Sequence, residues 1–155
     1  MQTFLPYPSF ERSASVLDQR RLGRQRVEAL QILNALTDPG YAWQHHPAVL
    51  QWRGYEEALV RYGLTMCEAW TARGFEDTVA ATLRATARDR LGLRRIRRQP
   101  TLAAADQLPG WLGRRAYHRS HQSSLVRKDA AHYRPHFPRV PDDLEYVWPV
   151  RIGRR

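Results

Sequence analysis

The sequence has few of the features that stabilise secreted proteins or anchor a chain in a membrane. Its 155 residues contain a single cysteine, Cys67, which excludes an intramolecular disulfide. No stretch approaches the run of about 18 apolar residues that a membrane-spanning helix needs. The first ten residues lack the basic and long apolar regions of a signal peptide. We therefore expect a cytoplasmic protein in which Cys67 is a reduced packing residue.

Lysine is almost absent as well, since Lys128 is the only one. The chain nevertheless has 25 Lys and Arg against 15 Asp and Glu, a formal charge of +10, so nearly all the positive charge is guanidinium. Arginine makes bidentate contacts to phosphate and stacks on bases. A general arginine bias of the proteome would produce the same composition. The charge therefore favours nucleic acid, DNA in particular, as the partner, but it carries no sequence specificity.

Strand-like alternation is rare, and helical spacing of apolar residues is common. In the second predicted helix an apolar stripe recurs every three or four residues, which is typical of a core face. The sequence predicts an all-α fold: one compact helical bundle over residues 1–155, with an irregular N-terminal segment and C-terminal tail. Four helices are predicted: from an N-cap at Ser13 or Ser15 to Leu36, from Pro47 to Gly74, from Glu76 to Leu91, and from Arg114 to Arg127.

The first predicted helix has one polar face that could carry chemistry. A helical projection places Arg21, Arg24 and Glu28 opposite the leucines of this helix. A carboxylate between arginines can act as a general acid or base. The commoner interpretation is an ordinary surface pair at (i, i+4) spacing. Arg26 falls toward the apolar side and therefore needs a partner, either a carboxylate within the protein or a phosphate outside it.

Two further groups of residues are candidates for contacts to phosphate. One is the basic run Arg94, Arg95, Arg97 and Arg98, which could equally be a solvated surface. The other is His118 and His121, which with His132 and His136 have spacings that metal ligands can have. No cysteine pair or carboxylate cluster accompanies these histidines. We therefore predict no metal and no cofactor, and we expect the histidines to contact phosphate or to cap the domain.

Three strings together resemble the pyrimidine-dimer DNA glycosylase family, whose type member is a phage endonuclease V. They are LDQRRLGRQRVEALQIL in the first predicted helix, HPAVLQWRGYEEALVRYGLTMCEAWTARGF in the second, and HRSHQSSLVRKDAAHYRPHFP near the end. The resemblance spans roughly residues 1–137, and an actinobacterial branch of the family looks closer still. Shared fold is a safer inference from it than shared substrate.

For a basic DNA binder of 18.1 kDa we expect a monomer associated with the nucleoid. The resemblance implies a compact helical protein that kinks double-stranded DNA and flips a base out of the duplex. In the family, an N-terminal α-amino group attacks the anomeric carbon to form a Schiff base, a first-helix glutamate assists, and β-elimination cleaves the strand. The glutamate corresponds to Glu28 if one residue is inserted before it. Several residues would contact the DNA: Arg21, Arg24, Arg26, His46, Arg94, Arg95, Arg97, Arg98, His118, His121 and Lys128.

The start of the chain departs from the family pattern. In the type member, removal of the initiator methionine exposes a threonine amine, whereas here the bulk of Gln2 disfavours removal of Met1. The nucleophile would then be the Met1 amine or the side chain of Lys128, and α-amino groups are the less basic of the two types. We predict a DNA-repair glycosylase, with or without AP lyase activity. The alternatives are a non-catalytic double-stranded DNA-binding module on the same scaffold and, third, a metal-dependent nuclease that uses the histidines.

Overall fold

The computed structural model describes residues 1–150, and these form helices and no strand. The predicted all-α fold is therefore confirmed. The helices of this part of the chain are α1 (Phe10–Val16), α2 (Gln19–Thr37), α3 (Pro47–Leu50), α4 (Glu56–Ala72), α5 (Val79–Leu91), α6 (Gln99–Ala104), α7 (Arg115–Lys128) and α8 (Ala130–Tyr133).

The first predicted helix is two helices, so the prediction of an N-cap at Ser13 or Ser15 was wrong. The hydroxyl of Ser9 caps α1, and the Asp18 carboxylate caps α2 by accepting a hydrogen bond from the backbone N–H of Arg21 at 3.3 Å. Leu17, between them, is extended and buried. An extended residue cannot continue a helix, and an aspartate that follows it is a strong N-cap.

The second predicted helix is also interrupted, because α3 ends at Leu50 and α4 begins at Glu56. Gly54, in the connecting turn, has a φ of +88°, a conformation that glycine adopts without strain. The short helices α6 and α8 were not predicted. The predicted end of the third helix is confirmed, since α5 stops at Leu91. The tail is irregular from Arg134 to the last described residue, as predicted.

Helix α4 lies at the centre of the core, and every residue from Ala58 to Cys67 is buried. It packs against α1, α2, α5 and α6. The predicted core stripe is confirmed at Trp52, Leu59, Tyr62 and Met66, which are inaccessible to solvent. At Gly63 the helices come closest, because a Cβ atom added there would lie 2.9 Å from the Ala29 Cβ on α2 and 2.9 Å from Leu83 Cδ1 on α5.

The first nine residues form no helix and bend at residues 6–9, and those from Gln2 to Pro6 are buried. Buried backbone groups need hydrogen-bond partners, and here side chains supply them. The Phe4 N–H donates to Gln25 Oε1 at 2.9 Å, and the Phe4 carbonyl accepts from the Tyr62 hydroxyl at 2.9 Å. His121 and His118 bind the two backbone groups of Leu5. Helices α2, α4 and α7 thereby hold the N-terminal segment in place.

Candidate active site

Glu28 lies where the N-terminal segment meets α2, and its side chain is only 15% exposed. Its Oε2 atom accepts a hydrogen bond from Gln25 Nε2 at 2.9 Å and a longer one from the backbone N–H of Gln2 at 3.4 Å. The same Gln25 amide donates to the Gln2 carbonyl at 3.0 Å. Gln25, one helical turn before Glu28, thus ties the start of the chain to the carboxylate.

The N-terminal amine and Glu28 line the same cavity, which has a volume of about 360 Å³. Consecutive backbone nitrogens are at most about 3.7 Å apart, so the Met1 nitrogen lies within about 7 Å of the Glu28 carboxylate. The walls of this cavity, called the amine cavity below, are formed by Met1, Gln2, Phe4, Arg20, Arg21, Arg24, Gln25, Glu28, Lys128 and Tyr146.

Four cationic side chains line the amine cavity together with Glu28. Arg24 is 68% exposed, and its Nη2 atom lies 3.7 Å from Glu28 Oε1. Arg21 turns toward Asp18 and forms a 3.1 Å ion pair with it. Neither Arg20 nor Lys128 has an ion pair among the described residues, and both are exposed. The positive charge thus exceeds the negative charge at the mouth of the amine cavity, which favours an anionic ligand.

A second cavity of about 530 Å³ lies on the other side of Glu28, along the outer face of α2. We call it the α2 groove; its walls are formed by Gln19, Arg20, Gly23, Arg24, Val27, Glu28, Gln31 and Trp70. Gly23 allows the Trp70 ring to approach α2, since a Cβ atom there would lie 3.1 Å from the ring. Glu28, Arg20 and Arg24 line both cavities, so the carboxylate lies between a polar chamber and a partly apolar one.

His46 lies near the N-terminal amine, although it lines neither cavity. Its Nδ1 atom accepts a hydrogen bond from Ala48 N at 3.0 Å and caps α3. Burial and the positive charge of the N-terminal ammonium hold the pKa of His46 below its usual value. Its ring packs edge-on against Trp43 and Trp148. The structure therefore brings His46 to the margin of the site.

The prediction that His118 and His121 contact phosphate was wrong, because both side chains are buried. His121 Nδ1 accepts from Leu5 N at 2.9 Å, and His118 Nδ1 donates to the Leu5 carbonyl at 2.8 Å. Burial lowers the pKa of His121 to about 3 and also lowers the pKa of His118. Both rings are thus neutral structural groups that hold the N-terminal segment.

Besides Arg21, three further arginines predicted to bind DNA form ion pairs within the protein. Arg26 pairs with Asp77 and stacks on the Trp70 ring, so its partner is an internal carboxylate. Arg97 makes a bidentate pair with Glu57, with contacts of 3.0 and 2.7 Å. Arg98 pairs with Glu68 at 3.1 Å. These ion pairs compete with phosphate for the guanidinium groups.

The remaining residues of the basic run, Arg94 and Arg95, are exposed and have no ion pair in the described part of the chain. No member of the run lines the amine cavity or the α2 groove. The structure thus does not bring the run to Glu28, and Arg94 and Arg95 stay candidates for a contact to DNA elsewhere on the surface.

Other kinds of site find no support among residues 1–150. No group of three or more histidine, cysteine, aspartate or glutamate side chains there is placed to hold a metal ion. Burial raises the pKa of Cys67 to about 12, which suits a packing residue and not a nucleophile. No helix in this part of the chain is long and apolar enough to span a bilayer.

Several residues of the amine cavity were not predicted from the sequence, among them Arg20, Gln25 and Tyr146. Arg20 precedes Arg24 and Glu28 at intervals of four residues, so a full helical projection of α2 would have found it. Gln25 is a buried polar residue with no sequence signal of its own. Tyr146 comes from the irregular tail, and only the tertiary structure places it there.

A scan of protein families supplies an independent assignment. The family model for pyrimidine dimer DNA glycosylases matches residues 1–83, more than half of the chain. The chain therefore belongs to the pyrimidine dimer DNA glycosylase family. This membership makes it a DNA-repair enzyme of the glycosylase class, with DNA as its substrate. The search of curated proteins and the search of solved structures returned no match.

The matched segment contains the centre of the candidate site. It includes Met1, Arg20, Arg24, Glu28 and His46, and it ends within α5. The basic run, the two buried histidines and Lys128 lie beyond residue 83. The family assignment therefore rests on the part of the chain that forms the α2 groove and most of the amine cavity, whose walls are completed by Lys128 and Tyr146.

Proposed function

We propose that this enzyme removes a damaged or modified base from double-stranded DNA and then cleaves the strand as an AP lyase. The observation that carries the proposal is the shared cavity, in which the chain's first amine and the Glu28 carboxylate lie within about 7 Å of each other. A neutral amine beside a carboxylate provides a nucleophile together with a group that can accept its proton.

In the proposed reaction, the Met1 nitrogen attacks C1′ of the damaged nucleotide and the glycosidic bond breaks. The base leaves with the bonding electrons and takes up a proton. Glu28 accepts the proton that the attacking amine loses and passes it to O4′ as the sugar ring opens. The carboxylate is then negative again and stabilises the cationic iminium that ring opening forms. Loss of a proton from C2′ then expels the 3′ phosphate by β-elimination. Water later releases the amine.

The two cavities suit a nucleotide that has left the base stack. When the sugar of this nucleotide lies at the Met1 amine, its base or the neighbouring base can enter the partly apolar α2 groove. The flanking phosphates would contact Arg20, Arg24 and Lys128, which are exposed at the mouth of the amine cavity. Flipping costs a few kcal/mol of stacking, and contacts from this basic surface offset that cost.

Borohydride trapping tests the proposal directly. The protein is incubated with a duplex that contains an abasic site and reduced with borohydride, and the covalent adduct is mapped by peptide mass spectrometry. We expect the adduct on the N-terminal peptide and also expect release of bases from ultraviolet-irradiated duplex. The Lys128→Arg variant, which has lost the only side-chain primary amine, should form the same adduct. Absence of an adduct together with absence of base release would overturn the proposal, and an adduct on Lys128 would reassign the nucleophile.

A further inference from the structure

Trp43 is the most exposed large apolar side chain among the described residues, with 62% of its surface accessible. The other four tryptophans are buried or partly buried. An indole this exposed loses the free energy that burial would supply. Its role therefore has to be sought outside the core.

The backbone of Trp43 is as unusual as its exposure. Its φ is +69°, and only one other non-glycine residue in the described chain, Asp106, has a positive φ. A bulky side chain rarely adopts this conformation, which persists only where the surrounding structure holds it. The projection of the ring into solvent is therefore imposed by the structure around it.

Hydrogen bonds on both sides of Trp43 hold this conformation. Before it, the Asp38 carboxylate accepts from Gly40 N at 2.9 Å, and the Asp38 carbonyl accepts from Gln44 Nε2 at 2.7 Å. After it, the His46 N–H donates to the Trp43 carbonyl at 3.0 Å. The turn is thus braced before any ligand arrives, and the ring is presented at low conformational cost.

A row of aromatic rings connects Trp43 with the amine cavity. The ring centroids of Trp43 and His46 are 6.2 Å apart, those of His46 and Trp148 are 6.1 Å apart, and those of Trp148 and Tyr146 are 5.5 Å apart. Tyr146 lines the amine cavity. Burial and, after it, the positive charge of the N-terminal ammonium lower the pKa of His46, which agrees with a position of this ring near the amine. Trp43 is its outermost ring.

We infer that Trp43 inserts into the base stack of bound duplex DNA and fills the gap that the everted nucleotide leaves. The inference rests on the proposed function, because it needs a nucleotide held at the amine cavity. An inserted ring replaces part of the lost base stacking and keeps the nucleotide from returning. A flat apolar ring on a braced turn, at the outer end of the row of rings that leads to the cavity, has the shape and the position for this role.

The test uses a short duplex with a tetrahydrofuran abasic-site analogue, which cannot undergo the reaction, next to a 2-aminopurine. A ring that enters the gap stacks on the 2-aminopurine and quenches its fluorescence. We expect quenching by the unaltered protein, its loss in Trp43→Gly with an about tenfold weaker affinity, and retention of most of it in Trp43→Phe. Because glycine adopts a φ of +69° freely, Trp43→Gly should unfold at the same or a higher temperature.

Asp106→Gly is the matched control. It relieves the backbone strain at the other non-glycine residue with positive φ and leaves the turn that holds Trp43 intact. It should quench as the unaltered protein does. Quenching by Trp43→Gly at the level of the unaltered protein would overturn the inference, as would an equal loss in Asp106→Gly. The two proposals can fail separately. Quenching that depends on Trp43, with neither a borohydride adduct nor base release, would leave insertion standing and reject the chemistry. An adduct without such quenching would reject insertion.

Discussion

Gln25 shows how one side chain can determine the geometry of a site. Its amide nitrogen donates to the Gln2 carbonyl and to Glu28, and its oxygen accepts from Phe4 N and from the Tyr62 hydroxyl. All the hydrogen-bonding capacity of this buried amide is therefore used. The position of the N-terminal amine relative to Glu28 depends on a neutral residue that takes no part in the proposed chemistry.

Glu28→Gln tests the proposed role of the carboxylate. We expect base release to fall by about 10²–10⁴-fold, the range typical of general acid–base catalysis, with little loss of duplex affinity, because the substitution removes a negative charge from a basic surface. Single-turnover base release and equilibrium binding measure the two effects. Glu11→Gln, on the exposed face of α1, is the control with the same charge change. Unchanged base release in Glu28→Gln would exclude the carboxylate from the reaction.

His121 makes the stability of the protein depend on pH. Its pKa falls to about 3 in the folded protein, whereas an unfolded histidine has a pKa of about 6.5. The unfolded chain therefore takes up protons first as the pH falls below about 6.5, and the folded state loses stability. The slope should approach about 1.4 kcal/mol per pH unit for this histidine.

Chemical denaturation between pH 7 and 5 measures that slope, in a range that lies above the titration of ordinary carboxylates. In His121→Gln, whose side-chain oxygen can still accept from the Leu5 N–H, the slope should decrease by the contribution of one histidine. His136→Gln, on the exposed tail, should keep the original slope. Equal slopes for the unaltered protein and His121→Gln would contradict the assignment.

Among the helices, the contact of α2, α4 and α5 at Gly63 is the least tolerant of added volume. In Gly63→Ala the new methyl group would lie 2.9 Å from Ala29 Cβ and from Leu83 Cδ1. We expect a loss of about 1–3 kcal/mol from overpacking, despite the gain in helix propensity of about 1 kcal/mol. Urea denaturation measures the change. Gly23→Ala, which meets only the edge of the Trp70 ring at 3.1 Å, should cost less. A Gly63→Ala variant more stable than the unaltered protein would contradict this picture of the core.

The helix boundaries show where a periodic pattern is informative and where it is not. The ends of α2 and α5 were predicted closely, because Asp38 and Gly92 are strong stop signals. The breaks at Leu17 and at Gly54 were missed, because apolar spacing continues across both positions. Leu17 is extended and buried, and Gly54 has a positive φ, because of the way the flanking helices pack. The local pattern therefore reveals neither break.

For the molecule as a whole, the net charge of +10 overstates the number of cationic side chains that are free to contact DNA. Arg26, Arg97 and Arg98 are used in ion pairs with carboxylates, while Arg20 and Lys128 at the amine cavity have none in the described residues. Binding should therefore depend on a local cluster of charge more than on the total.

Salt dependence of duplex binding tests that distinction. Each phosphate contact adds about 0.9 to the slope of log affinity against log salt concentration. Arg20→Gln should reduce the slope by about one contact, whereas Arg97→Gln, which removes the same charge from an internal pair, should leave it nearly unchanged. Fluorescence anisotropy at several salt concentrations gives both slopes. Equal reductions in the two variants would indicate that total charge, and not the cluster, determines binding.

The sequence by itself determined the helical class, the core stripe that includes α4 and the basic character, and it indicated Glu28 as a candidate carboxylate. Each follows from local spacing or from composition, which do not depend on how the chain packs. Only the tertiary structure decided which arginines are free, that His118 and His121 hold the N-terminal segment, and that Tyr146 lines the amine cavity. Those outcomes depend on contacts between residues far apart in the chain. The scarcity of lysine also bears on the site, because Lys128, the only lysine, lines the same cavity as Met1.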